Sequence, residues 1–295
     1  MDTQLLTAFI EVADSQSFTR AADVLHLSQP AVSKRITALE DQIGRPLFDR
    51  VGRNISLTDA GHTLLPHARK VLQHIEDGRR ALSQLEGQVS GRLSIGTSHH
   101  IGLHRLPPVL GAYTRDYPQV DLDIHFMDSE VACDAVLAGK LELGIVTLPL
   151  QSLPHLQSRA VWPDPLTVVC AASHPLAQSR KTSLKQLAEH PAVLPDAATY
   201  THRIITEALK AKGVAPRVRL ATNYLETLKM LAGIGLGWSV LPDSMVDHSV
   251  VKLHITGLAM HRQLGMVWHD RRTLSGAARA LMTLMPPALD PHKVD

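Results

Sequence analysis

Chemistry in this chain would have to come from the few places where residue type and spacing combine. On a helical wheel of about 100° per residue with Gln29 at the origin, Gln29, Pro30, Ser33, Lys34 and Thr37 fall together on one side. Such a face carries the amide, hydroxyl and ammonium groups that read base edges in a DNA major groove. Arg50 and Arg53 stand three apart in a segment with Gly52 and Asn54, spaced to meet phosphates or a minor groove. Further along, His100 and His104 stand at i and i+4, which would put two imidazoles on one helical face where a metal could be ligated. No cysteine or carboxylate lies nearby in sequence to complete a ligand set. Metal is therefore not assigned, and His99, His100 and His104 are read either as partial ligand contacts or as ordinary surface histidines. Cys133 and Cys170 are too few for a disulfide framework and fit a reducing, cytoplasmic compartment. Each reads as a small buried hydrophobe, with a redox role as the alternative.

Catalysis finds little support. The chain has no G-x-S-x-G elbow, no G-x-x-x-x-G-K-[ST] loop and no H-E-x-x-H, and glycines 233, 235 and 237 do not complete G-x-G-x-x-G. No enzyme activity and no cofactor are expected. No window reaches the roughly 18 apolar residues of a membrane span. Aromatics at 4% leave little for stacking on single-stranded nucleic acid. The net charge of +2 announces no partner, and residues 1–91 hold ten Lys or Arg against eleven Asp or Glu. The arrangement of charge, not its total, carries the nucleic-acid reading.

Elements must hold these residues. Leu5, Leu6, Phe9, Val12 and Ala13 recur at helical offsets, Ser17 can cap a short helix over 19–25, and Ser28 can cap a third whose first turn tolerates Pro30. Val32, Ile36, Leu39 and Ile43 form its apolar stripe, opposite the polar face, and Gly44 ends it. Residues 45–57 predict a hairpin, a wing beside the helix-turn-helix. From Thr58, Leu64, Ala68, Val71, Ile75, Gly78, Leu82, Leu85 and Val89 recur at alternating spacings of four and three, an unbroken heptad seam. So long a helix is too exposed for a small three-helix domain to cover, so a second copy is expected to cover it, with packing on the chain's own C-terminal domain as the alternative and Pro66 kinking its first turns. Two symmetric reading heads imply a dyad-symmetric site on double-stranded DNA.

At this point the residues carry a resemblance. Phe18-Thr19-Arg20-Ala21-Ala22, Leu27-Ser28-Gln29-Pro30-Ala31-Val32-Ser33, Leu39-Glu40, Gly44-Arg45-Pro46-Leu47-Phe48-Asp49-Arg50 and Leu57-Thr58-Asp59-Ala60-Gly61 resemble the signature of LysR-type transcriptional regulators. The resemblance implies that the third helix enters the major groove and that the wing touches the backbone. Ser28, Gln29, Pro30, Ser33, Lys34 and Thr37 are then the helix contacts, with Arg50 and Arg53 on the wing. Lys34 stands where the family often has Arg, and a lysine lacks the bidentate fork. A tetramer built as a dimer of dimers is implied by resemblance only, and RNA polymerase is a candidate partner.

Beyond the linker at Gly87, Ser90 and Gly91, strands and helices alternate: strands around Leu93 and Ile95, over 120–126, 141–146, 166–171, 192–194, 217–221 and 263–269, with helices between them. The expected organisation is a winged helix-turn-helix over 1–58, a dimerisation helix over 59–90 and a two-lobed, periplasmic-binding-protein-like α/β effector domain over 91–295. Lobe I takes about 91–162 and 266–295, and lobe II about 163–265. By family position, Ser98, His99, His100, Thr147, Leu148, Asp196, Tyr200, Thr222 and Asn223 would line the cleft, where Ser98 and adjoining N–H groups suit an anionic small molecule. A solute-binding protein would leave residues 1–90 unused, and a redox-responsive regulator would act through the cysteines.

Overall fold

The computed structural model describes residues 2–51, 54–83, 89–178 and 182–287. The chain divides into two units, Met1–Glu86 and Gly87–Asp295.

In the first unit, α1 (Thr3–Ser15), α2 (Phe18–Val24) and α3 (Gln29–Ile43) each start on a side chain that accepts a hydrogen bond from an otherwise unpaired backbone N–H: Asp2 from Gln4, Ser17 from Arg20 and Ser28 from Ala31. Gly44, at a φ of 72°, closes α3 in a left-handed turn. The stripe Val32, Ile36 and Leu39 is buried with Leu6, Phe9, Val12 and Phe18, which leaves the opposite face of α3 to solvent. Strands β1 (Phe48–Val51) and β2 (Asn54–Leu57) form the wing. Glu40 of α3 fastens it, its Oε1 accepting the backbone N–H of Leu47 at 2.7 Å and of Phe48 at 3.3 Å. Thr58 caps α4 (Asp59–Ser83) by accepting from Gly61 N and donates to Pro46 O. A Cβ on Gly61 would stand 2.3 Å from Leu47 O, so only glycine lets the helix start this close to the wing.

The heptad stripe on α4 has two surroundings. Ala68 is 1% exposed, and Leu64 and Leu72 pack on the same core, so this part of the stripe is already covered by its own unit. Val71 and Ile75 are exposed, at 41% and 38%. Leu82 belongs to α4, and Leu85 lies outside the described residues. Pro66 lies inside the helix.

The second unit is built on one seven-stranded sheet. Strands β3 (Gly91–Thr97), β4 (Val120–Phe126) and β5 (Leu143–Thr147) are parallel, in the order β5-β3-β4. Between them run α5 (His99–His104), α6 (Pro107–Asp116) and α7 (Ser129–Leu137). The helical stretch between β3 and β4 is broken at Pro107 and Pro108 into α5 and α6. The 15-residue β6 (Leu156–Cys170) and the ten-residue β11 (Met260–His269) pair antiparallel from Leu156 with His269 to Leu166 with Met260. Their register shifts between Leu264 and Gly265. The expected lobe boundaries at 162 and 265 therefore fall inside two continuous strands, and this ladder is what joins the lobes.

Lobe II adds β9 (Ser239–Pro242) and β10 (Val251–Leu253) to the far half of β6. It also holds the two-stranded sheet of β7 (Pro191–Leu194) and β8 (Arg217–Ala221), with α8 (Leu184–Glu189), α9 (Tyr200–Lys210) and α10 (Leu225–Gly233). The chain then returns through β11 to α11 (Gly276–Leu284), which packs on lobe I. Among the described residues no helix is long and apolar enough to cross a membrane.

Candidate functional site

Two surfaces carry the candidate residues. On the first unit, Gln29, Pro30, Ser33, Lys34, Thr37, Ala38 and Asp41 line a shallow groove on the outer face of α3. This is the polar face of the helical wheel, because burial of Val32, Ile36 and Leu39 fixes the rotation of the helix. The oxygen of Ser28 is taken by the backbone N–H of Ala31. Arg50 lies in β1, and Arg53 lies outside the described residues.

In the second unit a cavity of about 280 Å³ opens between the lobes. It lies beyond the carboxyl ends of the parallel strands, the ligand position of open α/β folds. Lobe I contributes Ser98, His99 and His100 after β3, Phe126 at the end of β4 with Met127 to Glu130 after it, and Thr147 at the end of β5; lobe II contributes Pro195, Thr199, Thr201, Asn223, Tyr224 and the first residue of α10, Leu225. Arg262 reaches it from β11.

Arg262 is 6% exposed and directly paired in register with Asp164 of β6. Its Nε donates to Asp164 Oδ2 at 2.7 Å and one Nη to Thr201 Oγ1 at 2.8 Å, while its Nη2 has no protein partner. Arg105 also donates to Asp164, at 3.3 Å. His100 is 4% exposed with neither ring nitrogen partnered. Burial, with Arg262 nearby, pushes its pKa down to about 4, so the ring is neutral at pH 7.

Besides Arg105 with Asp164, further polar contacts join the lobes. Asn223 Nδ2 donates to Asp128 Oδ2 at 2.7 Å, Glu130 accepts the backbone N–H of Tyr200 at the start of α9, and His104 Nε2 lies 3.0 Å from Glu226 Oε1. His99 stacks against Phe126 at 5.2 Å and lies 4.8 Å from Tyr224, making an aromatic rim. Burial raises the pKa of Glu130, more than the bond from Tyr200 lowers it.

Residues 86–289 match the LysR substrate binding domain, and residues 3–62 match the bacterial regulatory helix-turn-helix protein family of the lysR type. The chain belongs to the LysR family of transcriptional regulators. This LysR-type regulator is 61% identical over 108 residues, 37% of the chain and 75% of the relative, to an uncharacterized HTH-type transcriptional regulator of Azotobacter vinelandii. It is 29% identical to the RuBisCO operon transcriptional regulator of Allochromatium vinosum, over 93% of the chain and 92% of the relative. Among solved structures it is similar to a variant of full-length OxyR from Pseudomonas aeruginosa, with a TM-score of 0.69 and 25% identity, covering 96% of this chain and 93% of that one. It shares the fold of full-length CbnR complexed with its target DNA, with a TM-score of 0.65 and 22% identity, covering 97% and 99%.

Of the residues expected in the cleft of this LysR-type regulator, Ser98, His99, His100, Thr147 and Asn223 line the cavity. Leu148, Asp196, Tyr200 and Thr222 do not. Leu148 packs into an apolar cluster with Ala132 and Val136, and Asp196 is held by its backbone N–H to Asn223 Oδ1. Tyr200 is buried with Cys133, and Thr222 Oγ1 accepts from Tyr224 N. Sequence reasoning missed Asp128, Ser129 and Glu130, although they follow β4 as Ser98 follows β3. It also missed Arg262, for which spacing gave no signal. Cys133 and Cys170 are buried, their thiols pushed up to about 12 and about 11 by desolvation, so neither is a thiolate at neutral pH.

Proposed function

We propose that this LysR-type regulator reads a dyad-symmetric site in double-stranded DNA in the cytoplasm, and that it responds to a small molecule carrying an anionic group. Gln29, Pro30, Ser33, Lys34 and Thr37 read the major groove, and Arg50 and Arg53 meet the backbone from the wing. Two copies pair through the exposed part of the α4 stripe, Val71 and Ile75, and dimers pair again into tetramers that address RNA polymerase. No catalytic step is assigned to it.

The observation that carries the effector reading is Arg262, a buried guanidinium lining a cavity with one Nη unpartnered. A carboxylate or other oxoanion would supply the missing acceptor in a strong, charge-assisted bond, with the hydroxyls of Ser98 and Thr201 alongside. Asp128 and Glu130 line the same cavity. They oppose a second negative charge on the ligand and favour a monoanion or a molecule that also bears a donor.

The test is thermal unfolding of the full chain against carboxylates, amino acids, aromatic acids and inorganic oxoanions. A ligand at 100 times its dissociation constant stabilises by about 2.7 kcal/mol. The expected result is a monoanionic or zwitterionic hit weakened by Ser98→Ala. Hits confined to cations or neutral molecules would overturn the anionic reading.

A further inference from the structure

His100 lines the cavity, yet neither of its ring nitrogens finds a partner. Its neighbours can use them. His104 sits one turn further along α5, its ring centroid 5.0 Å from that of His100, since residues four apart share a helix face. Glu226 comes from α10 in the opposite lobe, its Oε1 3.0 Å from His104 Nε2. One donor atom from each of the three lies within 4.8 Å of the other two, the one such group among the described residues.

We infer that His100, His104 and Glu226 form a binding site for a divalent transition-metal ion that ties lobe I to lobe II. Two imidazoles and a carboxylate favour zinc, nickel, cobalt or copper over the oxygen-seeking magnesium and calcium. Three protein ligands leave a position for water. Metal–ligand bonds of about 2.0–2.1 Å require the donors to draw closer than 4.8 Å. His104 and Glu226 are exposed, with side-chain accessibilities of 47% and 42%, and are free to rotate toward the fixed His100. A simple ion pair between His104 and Glu226 would leave His100 idle. Glu226 offsets one of the ion's two positive charges, and the nearby Arg262 is paired with Asp164. The carboxylate that sequence spacing could not supply stands 122 residues downstream of His104. Because the ligands come from both lobes, an ion there stabilises the arrangement that brings α5 and α10 together and couples metal occupancy to lobe geometry.

The test is titration of the metal-free full chain with Co2+, followed by visible absorption, with Zn2+ as competitor. The expected result is a Co2+ spectrum that saturates near one equivalent and is bleached by Zn2+. Affinity should fall by about 10- to 100-fold or more in His104→Ala and Glu226→Gln, since even outer-shell partners command that much. Both changes are at exposed positions and leave the fold intact, which circular dichroism checks. No saturable spectrum, or equal affinity in His104→Ala, would overturn the site, because the ion would then be held by other histidines. Equal affinity in Glu226→Gln would overturn the tie between the lobes.

Discussion

Replacing Arg262 by Met removes a cation from one of the most enclosed polar clusters of the second unit. Asp164, 1% exposed, would lose its 2.7 Å partner and keep only the longer 3.3 Å contact to Arg105. Breaking a buried pair by removing one member costs about 3–5 kcal/mol, because the charge left behind is not compensated. For a unit of this size, about 2–4 °C per kcal/mol translates that into a fall in Tm of roughly 6–20 °C. Removing both charges, as Arg262→Met with Asp164→Leu, leaves no orphan in the interior, since Arg105 is 28% exposed and can turn to water. The double variant should recover at least half of the loss. The assay is selective: Trp162, Trp238 and Trp268 are the chain's three tryptophans and all lie in the second unit, so their fluorescence during unfolding ignores the DNA-binding unit. A single-variant cost below about 1 kcal/mol, or a double variant as unstable as the sum of its singles, would refute the reasoning.

Other expectations follow from the same geometry. Gln29→Ala should lose about 1–3 kcal/mol of discrimination between target and random DNA in fluorescence anisotropy, whereas Lys34→Ala should weaken both and lower the salt slope by about one. Ile75→Glu places a charge on the exposed stripe of α4 and should yield smaller species in light scattering; an unchanged size would place the pairing surface elsewhere. Glu40→Ala leaves the N–H groups of Leu47 and Phe48 without their acceptor, at about 1–3 kcal/mol for a desolvated group. Hydrogen exchange across the wing should accelerate while the second unit stays protected.

The first unit was largely legible because its signals are local. Ser17, Ser28 and Thr58 announce helix starts, Gly44 announces a stop, and the Val32, Ile36 and Leu39 stripe sets which side of α3 faces out. The seam on α4 was legible as a pattern, but its cover was not: periodicity cannot distinguish Ala68, buried in its own unit, from Val71, which is exposed. The first half of β6 was not anticipated because Pro163 and Pro165 argue against a strand. Among the described residues the strand up to Pro165 is paired with β11 alone, and a strand with one partner is where proline is tolerated. The cavity was half legible. Its loops follow from strand ends, but the pairing of Arg262 with Asp164, 98 residues apart, exists only once two strands lie side by side.

That pairing of distant strands also orders events in folding. Lobe II is contiguous, with its sheet drawn from the far half of β6 through β10. Lobe I is not: β11 is the antiparallel neighbour of β5, and α11, the last described helix in chain order, supplies Leu281 to the core of Leu93, Ile95 and Leu143. Contacts between distant residues carry a loop-closure cost that local ones escape. The inserted lobe can therefore consolidate first, while the lobe that begins and ends around it waits with an open core for its returning strand.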